Sequence, residues 1–142
     1  MLGKNSYPKA YIKASRERVA AQASAYKDFT KKAKKAGGTT LDTAVASFEP
    51  VFFNNMVLTL DSYFTHRLRT IEGKDGNPMN EVRVLCQSIL ENDSVVTADK
   101  TIKMKPEQSV LKLEVGDKIS VTEPDFVRLA DAFFDEIEAK FS

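Results

Sequence analysis

The segment from Phe48 to Glu72 constrains the fold more than any other part of the chain. At about 100° per residue, its Phe52, Tyr63, Met56, Leu60, Phe53, Ile71, Phe64, Val57 and Leu68 share an arc of about 160°. So broad an apolar face must be covered, which predicts the core helix of a bundle, with Ser47 as its cap, Pro50 in its first turn and Gly73 as its stop. Its greasiest part, Val51 to Phe64, contains Asn54, Asn55 and Asp61 and is too short and polar to cross about 30 Å of hydrocarbon. No membrane partner is expected.

Three more helices follow from their stop and start signals. A first helix is expected from about Pro8 to Ala36, capped by Asn5 or Ser6 and ended by Gly37 and Gly38. Its stripe of Ile12, Val19, Ala23, Tyr26, Phe29 and Ala33 is thin, which places it across the surface of the body, with a second face that another chain could cover. Thr39 to Ser47 reads as a short helix or turn. Asn77-Pro78 pairs a cap with proline at the first helical position, so a third helix should cover Pro78 to Asn92 and bury Met79, Val82, Leu85, Cys86, Ile89 and Leu90. Thr122, three residues before Asp125, starts a last helix that runs to about Phe141.

Between Asp93 and Thr122 the period changes from helical to alternating. Ile102 and Met104, then Leu111, Leu113 and Val115, then Ile119 and Val121 read as short half-buried strands. A three-residue loop from Gly116 to Lys118 sets Val115 opposite Ile119 and Leu113 opposite Val121, which predicts a β-hairpin. The expected fold is therefore mainly α, one domain over residues 1–142. In it a basic helix (8–36) lies across a helical core (40–141), and the bundle of about four helices carries a short β-hairpin before the last one.

Charge is segregated. The chain as a whole carries +1, but residues 1–36 hold ten Lys and Arg against Glu17 and Asp28, so the remainder is acidic. Lys31, Lys32, Lys34 and Lys35 form the densest cluster and are the candidate nucleic-acid contacts, since such lysines displace counterions from phosphates. They equally complement the dipole of their own helix, and the acidic last helix offers a counterpart.

One arginine stands out. Arg67 lies inside the apolar arc and cannot shed its charge, so it must reach water, meet a carboxylate such as Glu81, Asp131 or Asp135, or form a fork for an anion. Arg69, Lys74, Asn77 and Arg83 lie close in sequence, around a glycine-containing loop that opens a helix, and complete the candidate anion site. The loop lacks the spacing of a calcium loop, a Walker A sequence or a GxGxxG turn. Asp61 and Glu72 share a face, but about 16 Å of straight helix separates them, too far for paired acid and base work. His66 lies on the polar side, and Cys86, the one cysteine, is expected in the core of a protein from a reducing, cytoplasmic setting. No catalytic residue, metal site or cofactor is expected.

The stretches FFNNMVLTLDSYFTHRLRTIEGKDGNPMNEVRVLCQSIL and KPEQSVLKLEVGDKI resemble a set of small, uncharacterised helical proteins of actinobacteria. The resemblance implies no activity, cofactor or residue role. What remains is a non-enzymatic binding or interaction protein whose first expected partner is a protein, itself included as a homodimer, then nucleic acid, then a small anion.

Overall fold

The computed structural model describes residues 3–142, in which five helices, α1 (Lys9–Ala36), α2 (Thr39–Ser62), α3 (Arg69–Glu72), α4 (Pro78–Glu91) and α5 (Glu123–Phe141), surround one apolar cluster. α1, α2 and α5 pack against one another, and α4 closes the other side against α2 and α5. Aromatic rings fill the middle. Phe53 meets Tyr26 and Phe126 in one half, and Phe64 meets Tyr7, Phe133 and Phe134 in the other. Among the described residues no helix is long and apolar enough to cross a membrane.

The start signals of the later helices hold. Asn77 Oδ1 accepts from the backbone N–H groups of Met79 and Asn80, and Thr122 Oγ1 accepts from that of Asp125. α1 departs from expectation at its start, where Pro8 occupies the cap position and neither Asn5 nor Ser6 supplies a side-chain cap. Phe29 and Leu90, expected inside, are exposed.

The core helix is longer at its start and shorter at its end than its periodicity suggests. α2 begins at Thr39 and absorbs the expected short helix, with Pro50 in its interior. A proline there leaves the carbonyl of Ala46 without its helical donor, but Ala46 is exposed and water can serve it. Downstream the helix ends at Ser62, and the turn at Tyr63–His66 separates it from α3. The cause is a strap from the N-terminal segment. Lys4 donates its N–H to the His66 carbonyl at 2.6 Å and accepts from the Leu68 N–H at 2.8 Å, so backbone groups that would extend the helix bond elsewhere.

The expected β-hairpin is absent, and no strand occurs among the described residues. Alternation reported part of the inward set, since Ile102, Ile119 and Val121 are buried while Lys103 and Ser120 are exposed, but Val115, expected opposite Ile119, is 67% exposed. It could not report pairing. Lys112 takes a positive φ of 56°, which breaks an extended run. Side chains then occupy the backbone groups that a hairpin would use. Asn54 donates to the Ile119 carbonyl at 2.9 Å and accepts from the Val121 N–H at 3.0 Å, and Glu81 accepts from the N–H groups of Val110 and Leu111. An isolated bridge between Val95 and Lys118 is the only β-type pairing of this region.

Candidate functional site

The break after α2 turns Arg67 inward. Arg67 as a whole is 3% exposed, its side chain is fully buried, and its guanidinium lies over the Phe133 ring. Nε donates to Glu72 at 2.8 Å, Nη1 to Asp61 at 2.7 Å and to the Phe64 carbonyl, and Nη2 to the Met79 carbonyl. Its carboxylate partners are Asp61 and Glu72 rather than Glu81, Asp131 or Asp135, because the bent chain brings those two acids to one point while a straight helix would hold them apart. Asp131 and Asp135, with Glu138, face Arg16 of α1 instead.

Glu72 is fully buried and accepts four side-chain hydrogen bonds. Arg67 Nε and Arg83 Nη2 (2.6 Å) reach Oε1, while Arg83 Nε (3.1 Å) and Asn80 Nδ2 (2.8 Å) reach Oε2. Burial by itself pushes the carboxyl up; the bonds and charges of Arg83 and Arg67, with Asn80, outweigh it and hold the group below the usual carboxylate range. Two arginines and two acids leave this cluster neutral. A carboxylate with four donors has its lone pairs occupied, so the arrangement locks α3 to α4 rather than moving protons.

Of the five candidate anion ligands, Arg67 and Arg83 are thus matched within the chain. Asn77 serves the α4 cap and also donates to the Glu72 carbonyl at 2.7 Å, and Asn80 Oδ1 accepts the Gly76 N–H. Arg69 and Lys74 reach solvent. No protein-family model, curated protein or solved structure matches the chain.

The remaining candidates lie apart from this cluster. His66 is exposed in the turn after α2. Cys86 is buried against the Val57 carbonyl, and burial pushes its thiol up to about 12, far from a reactive thiolate. Among the described residues no group of His, Cys, Asp and Glu could hold a metal ion. Lys31, Lys32, Lys34 and Lys35 are all exposed on the last turns of α1, and none forms an ion pair among the described residues.

Two features escaped the sequence reading. One is a cleft of about 430 Å³ between α4 and the irregular connection to α5, with Glu81 in its wall. Glu81 is 4% exposed, and burial pushes its carboxyl above the usual range despite the two backbone donors. The other is an apolar surface. Phe29, Phe48 and Val51 are 54%, 48% and 55% exposed. Tyr26 stacks on Phe52 where α1 crosses α2, and on the antiparallel pair Phe29, Phe48 and Val51 are all offset from that stack in the same rotational sense, by about 40–100°. They therefore emerge on one side. The opposite side is a groove in which Lys27, Lys31 and Lys34 face Asp42, Glu49 and Glu123.

Proposed function

We propose that the chain is a non-enzymatic interaction protein that pairs with a second copy of itself through the α1–α2 face bearing Phe29, Phe48 and Val51. The observation that carries this reading is the half-exposure of three large apolar side chains on one side of two long helices. The same side of α2 presents Ala44, Asn55 and Leu58 and no charge, and the matching arc of α1 shows Arg18 and, one turn beyond Phe29, Lys32. A face with few charges suits a two-fold contact, in which the same patch of each copy covers the other. Two helix widths of about 10 Å over some nineteen residues offer about 550 Å² per copy, which just reaches the area of a specific but weak dimer.

Sedimentation should show a monomer–dimer equilibrium, and Phe48→Glu with Val51→Glu should give a monomer of unchanged melting temperature, since both positions are exposed. A wild-type monomer at about 1 mM, where even a contact of about −4 kcal/mol is visible, rejects the reading.

The free lysines favour a second reading, nucleic-acid contact through Lys31, Lys32, Lys34 and Lys35. It predicts affinity for generic duplex DNA that falls steeply with salt and disappears when the four become glutamine. Absence of binding at low salt removes it.

A further inference from the structure

Three charged side chains are buried in the described fold: Arg67, Glu72 and Glu81. Arg67 and Glu72 pair with each other. Glu81 is the exception. Its oxygens accept neutral backbone N–H groups at 2.8 and 2.9 Å, and among the described residues no cation forms an ion pair with it. The charge of Arg128 acts on Glu81 through space, but the cations of the connection and of α5 make their bonds elsewhere. Arg128 binds Asp125 and the Val110 carbonyl, Lys112 the Glu107 carbonyl, and Lys118 the Asp93 carbonyl. A buried carboxylate without a bonded counter-charge is costly, and the cost falls when a cation binds it.

Glu81 lines the cleft over α4, whose apolar wall comes from Val84, Leu85, Ile102, Met104 and Leu113, with the exposed Val115 at its rim. The other charged groups in the lining are Asp99 and Glu114, so it contains three acids and no Lys, Arg or His, although the chain holds 21 Lys and Arg. At about 430 Å³ the cleft is large enough for a small molecule, since ligand pockets span about 300–1,000 Å³. Its roof is the connection between residues 92 and 122, whose only regular element is the 3-10 turn at Pro106–Gln108. Irregular connections longer than about 15 residues in a compact domain usually shape a binding feature. Here Glu81 itself staples the roof to α4.

We propose that this cleft binds a small molecule with an apolar body and one protonated amine, the ammonium lodged against Glu81 as the missing counter-charge. The apolar part lies against Leu85, Ile102 and Leu113, and Asp99 and Glu114 favour entry of the cation. The site does not depend on self-association, so a monomeric variant retains it.

The test uses the full chain and three probes of one shape, phenylbutylamine, phenylbutanol and phenylbutyrate, titrated at millimolar concentration with backbone amide shifts as the readout. The amine should shift the amides of Val84, Leu85, Val96 and Leu113 and bind about tenfold or more tighter than the alcohol, the scale of one charge-assisted bond, while the acid leaves the spectrum unchanged. Glu81→Gln should reduce the amine to the alcohol's affinity. If that variant does not fold, Val115→Lys, at an exposed position on the rim, supplies a competing cation and should cause the same loss for the amine alone. No amine binding, equal binding of all three probes, or full amine affinity in the folded variant overturns the proposal.

Discussion

At Glu72 four donors converge on a carboxylate that has no contact with water, and its removal leaves two arginines competing for Asp61 and bulk solvent. Glu72→Gln should therefore cost about 3–5 kcal/mol in urea denaturation, the range for breaking a buried pair. Because the folded carboxyl lies below its unfolded value, its stabilisation is complete above the ordinary carboxylate range and is lost as pH falls through the lowered value. Glu81 has the opposite sign, since its raised carboxyl makes the fold less stable as pH rises through the interval between its unfolded and folded values. An acid titration of stability should thus be steeper for the wild type than for Glu72→Gln; parallel curves would show that Glu72 is not the group responsible. The sequence made Arg67 visible, because a permanent cation within an apolar arc demands a partner. It hid which partner, because Asp61 and Glu72 converge only when the helix breaks, and the break depends on Lys4, far away in the chain.

Helix ends written in local chemistry were legible: Asn77-Pro78 and Thr122 sit where their capping side chains require. The interiors of elements were less so. Proline at position 50 suggested a beginning and lies inside a helix, since packing of Tyr26 against Phe52 and Phe53 on the following turn sustains what local propensity opposes. Pro50→Ala should accordingly stabilise the protein, by up to about 3 kcal/mol, and a lower melting temperature would show that the ring's packing outweighs the missing bond. In the irregular connection, the period of two identified inward side chains, while the hydrogen bonds went to Asn54 and Glu81, which no pattern within residues 93–122 could reveal. Asn54→Leu leaves the Ile119 carbonyl and the Val121 N–H without partners and should cost about 2 kcal/mol, with faster amide exchange at Val121 but not in α4. Gly76 has φ +88°, and a Cβ there would stand 2.6 Å from the Lys103 carbonyl oxygen, so Gly76→Ala should loosen the same connection from its other end.

Across the whole molecule, the opposed charges of α1 and α5 divide into two uses. The acids of α5 meet Arg16 on the first half of α1, which leaves the lysines of its last turns on a helical pair that extends past the aromatic core. The lysine-lined groove and the apolar face lie back to back there, with Lys32 bordering the apolar face one turn from Phe29, so Lys31 and Lys34 are the substitutions that separate the nucleic-acid reading from the interaction reading. The strap has a further consequence. Besides tying Lys4 beside Arg67, it donates the Tyr7 N–H to the Phe141 carbonyl at 2.7 Å, and Tyr7 packs on Phe64 and Phe141. The earliest described residues thus find their seats against both the turn after α2 and the last turn of α5. During synthesis on a ribosome, α1 can cover part of its stripe on α2 as soon as that helix emerges, but the side that faces α5 stays open until nearly the whole described chain is out.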